Sequence, residues 1–284
     1  MSSQKQSKLV MVTRCKPLLG TFVEISVDED HFHAEIDYAF AAIEKIQSLM
    51  GFHNPDSELN QINRLSHRQA IEIHPWTAQV LRVAKQIHRQ SQGLFDCGIG
   101  HRLVAAGLLP RHIDYHNHDL GGIEDICFLS SELITSSRPV CLDLGGIAKG
   151  FAVDMAVRIL RSEGISSGAV NAGGDLRVFG DNPRPIHLRN PRNPQELYKI
   201  GSLQNAALAT SSIYFAHQCQ QTSHLINPLA IDESKRFIQN HDSYSILAME
   251  CIYADALTKV LAISREIDHP CFAKFSAQAI RISA

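Results

Sequence analysis

The chain has 284 residues, 44% of them hydrophobic, and can therefore bury one large core or two modest ones. Its formal net charge of -2 argues against a nucleic-acid partner, and no polybasic run favours a membrane surface. The seven cysteines are odd in number and scattered without a CxxC pair, which argues against a disulfide framework and against a cysteine zinc site.

The amino-terminal stretch MSSQKQSKLVMVTRC lacks the apolar region of a signal peptide. No later stretch reaches the roughly 18 apolar residues that a membrane-spanning helix needs. We therefore expect a cytoplasmic protein, although a truncated start would leave a periplasmic or membrane-associated location open. Residues 1–15 are expected to be a flexible segment of a single domain that covers residues 1–284. No pattern predicts the oligomeric state.

The first half of the chain predicts one strand and three helical segments. TFVEISV (21–27) alternates apolar and polar residues, as a half-buried strand does. Apolar residues at steps of three and four from Ile36 to Met50 predict an amphipathic helix. The turn signal NPD follows, and Ser57 is suited to cap a short helix. TAQVLRVAKQIHRQSQG predicts another amphipathic helix that Gly93 ends.

The second half begins with an exposed, histidine-rich loop, RHIDYHNHDLGG. A strand over PVCLDL (139–144) should lead through a glycine pair into the helix IAKGFAVDMAVRILRSEG. GAVNAGG, DLRVFG and the proline-punctuated sequence beyond residue 183 are strand-like, and YADALTKVLAISRE predicts a final helix. Strands and helices mix without a strict alternation, which predicts an α+β or layered α/β fold, not a barrel.

Two glycine pairs are candidates for ligand contact. In DLGGIAKGFAVD (143–154), the pair brings bare backbone to a helix N-terminus, where free N–H groups favour anions. The alternative is a corner whose glycines only permit tight packing. In NAGGDLRVFG (171–180), the second pair suits a close approach to a ligand, and the alternative is a strand bulge.

Two further segments contain candidate catalytic side chains. His224 in TSHLINP can act as a general base or donate to a phosphate near neutral pH, or it can be a structural histidine. In YADALTKVLAI, Asp255 and Thr258 lie three residues apart on one helix face and can offer oxygens to Mg²⁺. The alternative role for Asp255 is to stabilise its helix dipole.

Taken in chain order, five motifs resemble those of the ApbE family, the FAD:protein FMN transferases. They are PLLGTFVEISV, NPDSELNQIN, GLFDCGIG, DLGGIAKGFAVD and NAGGDLRVFG. DLGGIAKGFAVD differs by a single residue from the family's DLGGIAKGYAVD, and the motifs run through nearly the whole chain. The resemblance implies a single layered, T-fold-like α+β domain with mixed sheets and packed helices.

The resemblance also implies a reaction. Family members bind FAD as substrate, cleave its pyrophosphate with Mg²⁺ and move FMN onto a threonine or serine hydroxyl, releasing AMP. A metal suits this chemistry because it polarises phosphoryl oxygens and neutralises charge on the leaving phosphate. The implied partner is an acceptor flavoprotein with a Thr/Ser flavinylation motif.

By motif position, the resemblance assigns roles to individual residues. The backbone carbonyl of Gly146 and the side chains of Asp255 and Thr258 would hold the metal. His224 and Asp255 would be catalytic, with His224 activating the acceptor hydroxyl or holding the transferred phosphate. The FAD site would be formed by Leu19, His53, Leu94, Phe95, Asp96, Asp143, Lys149 and Ile226.

The carboxyl-terminal third departs from the family pattern. Lys259 stands where a threonine is usual, Thr258 comes one position earlier, and an ammonium group repels Mg²⁺. TSSIY replaces the usual T-S-G-D/N-Y, and SHLINP replaces SHIIDP with Asn227 in place of an acid. Three functions therefore stay open: an FMN transferase, an FAD-binding protein with lost or weak transferase activity, and an FAD pyrophosphatase.

Overall fold

The computed structural model describes residues 11–28, 33–114, 119–211, 225–230, 237–238 and 241–284. Within these ranges the helices are α1 (His33–Met50), α2 (Glu58–Leu65), α3 (Pro75–Gln90), α4 (Gly100–Ala105), α5 (Ala148–Ser162), α6 (Cys251–Ser264) and α7 (Pro270–Lys274). The strands are β1 (Val12–Leu18), β2 (Thr21–Val27), β3 (Ile71–Glu72), β4 (Ile126–Phe128), β5 (Leu133–Ser136), β6 (Gly168–Ala172), β7 (Asp175–Phe179), β8 (Arg184–Arg189), β9 (Leu197–Leu203), β10 (Ala206–Ser211), β11 (Ser243–Ala248) and β12 (Gln278–Ile282).

One large antiparallel sheet organises the fold, with seven strands in the order β1-β2-β6-β7-β10-β11-β12. Two of its hairpins turn on residues with positive φ. Leu19 and Gly20 (φ 56° and 71°) join β1 to β2, and Gly173 and Gly174 (φ 61° and 102°) join β6 to β7. Two-residue hairpin turns favour such angles because their twist matches that of the strands. The second glycine pair is therefore a hairpin turn.

The main core lies between the large sheet and the helices on one of its faces. Helix α5 packs against both α1 and α6, all three helices contact the sheet, and they bury large side chains such as Phe40, Phe151 and Leu257. A smaller apolar cluster joins the β8–β9 hairpin to residues of β7 and β10, including Val178 and Ile186. A three-stranded sheet in the order β3-β5-β4 stands apart from the large one. This mixed α+β architecture confirms the predicted fold class.

Several local predictions are confirmed. TFVEISV forms β2, the periodic segment from Ile36 to Met50 forms most of α1, and the Ser57 hydroxyl caps α2 by accepting from Asn60 N at 3.2 Å. The helix predicted to end at Gly93 ends instead at Gln90, because Ser91 is its C-cap. The described parts of the chain contain no helix long and apolar enough to cross a membrane.

The strand predicted over PVCLDL (139–144) is wrong. Within residues 139–144, only Val140 forms a β-bridge, and this bridge to Gly121 is isolated. The backbone of Leu142 is satisfied by a side chain instead: its N–H donates to Asn63 Oδ1 at 2.7 Å, and its carbonyl accepts from Asn63 Nδ2 at 3.0 Å. The neighbouring backbone groups bond to other loops, since the Cys141 carbonyl accepts from Gly100 N at 3.0 Å and Asp143 N donates to the Cys97 carbonyl at 2.8 Å. This apolar run is therefore satisfied without a neighbouring strand.

Three other expectations need correction or lie partly outside the described residues. Of the segment 1–15 predicted to be flexible, residues 1–10 lie outside the described residues, whereas residues 12–15 belong to β1 and pair with β2. The predicted exposed loop at 111–122 includes 115–118, which lie outside the described residues. The helix predicted as the last one corresponds to α6, yet α7 and β12 follow it.

A buried carboxylate fastens the start of α6 to α5. Asp154 accepts hydrogen bonds from Cys251 N and Ile252 N, both at 2.8 Å, and pairs with Arg177. These contacts satisfy N–H groups that a helix N-terminus leaves unpaired. Burial raises the pKa of Asp154 to about 6, although Arg177 and the two backbone N–H groups favour the charged form.

Asp154→Ala should lower the free energy of unfolding at neutral pH by about 3 kcal/mol, because it leaves Arg177 and two backbone donors without their acceptor. Urea denaturation followed by circular dichroism measures the change. Asp268→Ala, at an exposed position, is the matched control and should change stability by less than about 0.5 kcal/mol. Equal stability of the two variants would contradict this role for Asp154.

Candidate functional site

A cavity of about 1080 Å³ opens between the helical layer and the loops that precede α4 and α5. Its apolar wall includes Phe52, Leu103 and Leu109, and its polar end includes Lys149 and Lys259. Nine of the residues assigned to the FAD or metal site line this one cavity: Leu19, His53, Leu94, Phe95, Asp96, Asp143, Gly146, Lys149 and Ile226.

The first wall of the cavity is the loop that contains His53. The Asn60 side-chain amide donates to the carbonyls of Phe52 and Asn54, each at 2.7 Å, and so fixes the loop on α2. Asn60 is fully buried, and Ser57 caps the same helix. The SELN sequence thus shapes this wall through its capping serine and its buried asparagine, while His53 itself stands exposed.

The second wall is the loop of Phe95 and Asp96 after α3. Asp96 Oδ1 accepts from Gly98 N at 2.7 Å and from Ile123 N at 3.0 Å. His88 Nδ1 lies 2.9 Å from the Phe95 carbonyl oxygen and 3.4 Å from Asp96 Oδ2. Asp96 therefore joins three segments of chain, so its position in the site is explained by loop structure without any ligand contact.

A third wall comes from the short segment 225–230. Arg102 of α4 donates to the carbonyl oxygens of Asn227 and Pro228, both at 3.0 Å, and so holds the segment against the cavity. Ile226 is buried at the cavity wall. His224, the predicted catalytic histidine, lies outside the described residues.

Four charged side chains form a cluster at the polar end. Lys149 of α5 pairs with Asp175 at the start of β7, and its Nζ lies 3.8 Å from Asp255 Oδ1. Lys259 pairs with the same Asp255 oxygen and also donates to the Asp255 carbonyl at 2.9 Å. Gly150 N donates to Asp255 Oδ2 at 3.0 Å. Two ammonium groups thus balance two buried carboxylates.

The two acids lie behind the two lysines. The Asp255 side chain is 0% exposed, whereas Lys149 and Lys259 are 32% and 21% exposed and line the cavity. Burial opposes ionisation of Asp255, but the two ammonium groups outweigh it and hold its pKa below the ordinary value. Burial likewise opposes the charge of Lys149, but Asp175 and Asp255 raise its pKa above the ordinary value. The cavity therefore meets fixed positive charge.

Thr258 does not face the cavity as the metal assignment requires. It is 1% exposed, its hydroxyl donates to the Asp255 carbonyl at 2.7 Å, and it lies 2.8 Å from Ser211 Oγ. Asp255 also lies behind the cavity wall. A helix turn places residues three apart on one face, but here that face points into the core, and Lys259 is the residue of this helix turn that reaches the cavity.

The donors present do not fit a Mg²⁺ ion held by Gly146, Asp255 and Thr258. Asp255 is surrounded by hydrogen-bond donors, namely two ammonium groups, a backbone N–H and a hydroxyl. The described residues also contain no group of three or more His, Cys, Asp or Glu side chains arranged for a metal. Lys259 departs from the family pattern in the sequence, where a lysine in place of a metal charge against phosphate was one interpretation, and it does line the cavity. Asp175 was missed as a site residue, although it follows the second glycine pair directly.

Asp96→Ala should destabilise the protein by about 2 kcal/mol, because two backbone N–H groups lose their acceptor. Asp96→Asn is the matched control: its amide oxygen can still accept, so it should cost less than half as much. Urea denaturation gives both values. If the two variants lose equal stability, the carboxylate charge matters more than its role as an acceptor.

A model of the ApbE family matches residues 19–280 of this chain. A Vibrio cholerae protein named FAD:protein FMN transferase is 26% identical over 275 residues, covering 88% of this chain and 80% of its own length. A Haemophilus influenzae protein of the same name is 27% identical over 266 residues, covering 85% and 75%. The solved structure of the ApbE protein from Thermotoga maritima superposes with a TM-score of 0.78 at 22% identity, covering 96% of this chain and 94% of that one. The chain belongs to the ApbE family.

Proposed function

We propose that this chain is an FAD:protein FMN transferase, which cleaves FAD and joins FMN through a phosphoester to a threonine or serine of an acceptor flavoprotein. The observation that carries the proposal is the cavity of about 1080 Å³, which is apolar along its walls and ends at two lysines. FAD has the matching chemistry, with flat apolar rings joined through a charged pyrophosphate. The names of the Vibrio cholerae and Haemophilus influenzae relatives support the same reaction.

The apolar wall is suited to one of the ring systems of FAD. Phe52, Leu94, Phe95 and Leu109 line it, and burying a flat ring against such side chains removes apolar surface from water. Two of its loops are fixed by polar side chains: Asn60 donates to the loop of Phe52, and Asp96 accepts from backbone N–H groups beside Phe95. Because these loops are fixed before FAD binds, less conformational entropy is lost on binding.

The lysine end is suited to the pyrophosphate. Lys149 and Lys259 each offer N–H donors to anionic oxygens, and both are anchored by carboxylates that lie behind them. Transfer then forms a bond between the acceptor hydroxyl oxygen and the FMN phosphorus. The bond from that phosphorus to the bridging oxygen breaks, AMP leaves with the bond's electrons, and the hydroxyl gives up its proton to a base. Fixed cations favour this step because they balance charge that develops on the leaving phosphate.

His224 is the proposed base. It immediately precedes Leu225, which lines the cavity, and an imidazole can accept a proton near neutral pH. Magnesium, which the family resemblance implies, finds no fitting donor set around Asp255. No step of the proposed reaction passes through a metal.

The proposal predicts that the protein, incubated with FAD, Mg²⁺ and a domain carrying a flavinylation threonine, releases AMP and forms a covalent FMN adduct in equal amounts. Chromatography measures AMP, and intact-mass spectrometry measures the adduct. The acceptor with Thr→Ala at its flavinylation site is the control. AMP and FMN without adduct indicate a pyrophosphatase, and bound FAD that stays intact indicates a binding protein; either result contradicts the proposal.

His224→Ala should slow adduct formation at least about 100-fold, because general-base catalysis commonly contributes that much or more. FAD affinity, measured by flavin fluorescence anisotropy, should change less than about threefold. His187→Ala, at an exposed position in β8, is the matched control and should leave both quantities unchanged. A full-rate His224→Ala variant removes this residue from the mechanism.

A further inference from the structure

We infer that the Lys259 ammonium takes the place of a divalent cation in this site, so that the transfer runs on two lysines and does not require magnesium. This inference rests on the proposed FMN transfer. It concerns which groups supply the positive charge at the end of the cavity where the pyrophosphate would bind. It adds a residue-level role that the matched family motifs do not assign.

The Lys259 side chain passes Gly146 and reaches Asp255. A Cβ atom added at Gly146 would lie 3.3 Å from Lys259 Cε, so the lysine side chain runs directly over that glycine. Its Nζ reaches Asp255, where it contacts Oδ1 and donates to the carbonyl at 2.9 Å. Gly146 and Asp255 are two of the three groups to which the sequence motifs assigned the metal. The ammonium group lies at the place that the ion was expected to take.

The oxygens of Asp255 already have hydrogen-bond donors in contact, so few of their lone pairs are left for a metal ion. Asp255 Oδ2 accepts from Gly150 N at 3.0 Å, and the Asp255 carbonyl accepts from the Thr258 hydroxyl at 2.7 Å. Oδ1 has Lys259 in contact and Lys149 at 3.8 Å. A cation entering here must displace Lys259 and then stand close to both ammonium groups. Mg²⁺ also demands near-ideal octahedral oxygen geometry and gives up its water reluctantly, so such a site disfavours it.

The cluster of two lysines and two aspartates is electrically neutral without a metal ion. The four side chains Lys149, Lys259, Asp175 and Asp255 sum to zero when ionised, so the cluster needs no further cation to be neutral. Its carboxylates lie on the buried side and its ammonium groups on the cavity side, because Asp175 and Asp255 are 3% and 0% exposed. An arriving pyrophosphate therefore meets the positive side of a neutral cluster.

The Lys259 ammonium group has the chemistry that phosphate binding needs. An ammonium group is a compact point charge with three donors, and lysine is a common phosphate ligand in this form. In the transfer, Lys259 would bind the phosphate oxygens and balance the charge on departing AMP. The reaction consumes FAD and a hydroxyl and yields the FMN phosphoester and AMP, so it needs neither an oxidant nor a further co-reactant. The cation role requires no proton transfer from Lys259.

The direct test compares the full-length wild-type protein in EDTA with the same protein in Mg²⁺, using FAD and the acceptor domain. We expect the single-turnover rate of AMP release to differ less than about threefold between the two buffers. A rate at least tenfold lower in EDTA overturns the inference while leaving the proposed transferase function intact. Lys259→Met should lose at least tenfold in both buffers, and Lys259→Arg, which keeps the positive charge, should lose less than Lys259→Met.

A second readout does not depend on turnover. Mn²⁺ electron paramagnetic resonance, with Mn²⁺ as the probe ion and FAD present without acceptor, should detect no Mn²⁺ bound to the wild type at millimolar concentration. Lys259→Thr should gain one bound Mn²⁺, whereas Lys274→Thr, at an exposed lysine, should gain none. One Mn²⁺ bound by the wild type and lost in Asp255→Asn overturns the inference. If neither buffer supports AMP release, the transferase proposal fails, and the Mn²⁺ result still decides which cation the site holds.

Discussion

The buried Asp255 carboxylate is the constraint on which the candidate site depends. A charge at 0% exposure is tolerable only when it is paired and hydrogen-bonded, and Asp255 meets this condition through Lys149, Lys259 and the backbone N–H of Gly150. These contacts tie α6 to the start of α5 and orient both lysines toward the cavity. The positive end of the cavity is thus a consequence of how two buried acids, Asp255 and Asp175, are neutralised.

Polar side chains that bind backbone groups also fix the rest of the cavity. Asn60, Asn63 and Asp96 each bind backbone groups of loops that have no neighbouring strand, and these loops form the walls. Side chains that replace a sheet partner allow irregular backbone to be buried without unpaired donors. The site consequently stands on loops that are fixed before any ligand arrives, which suits a reaction that depends on positioning.

Much of the fold could be predicted from local patterns, because β2 and α1 owe their form to periodic burial and α2 owes its start to the Ser57 cap. The strand over PVCLDL could not be excluded in this way, since its backbone partners are the side chain of Asn63, 79 residues away, and the backbone of other loops. Nine candidate site residues do line one cavity, but the inward direction of Thr258 depends on how α6 packs. Spacing along a helix indicates a shared face and does not say which way the face points.

A crystal structure of the FAD complex, grown with Mg²⁺ present, would show directly whether lysines alone hold the pyrophosphate. We expect its oxygens within hydrogen-bond distance of Nζ of both Lys149 and Lys259, with Lys259 still paired to Asp255 and no metal between them. A metal ion bound between Gly146 and Asp255, with Lys259 displaced, would contradict the lysine-based account. FAD bound away from this cavity would contradict the site itself.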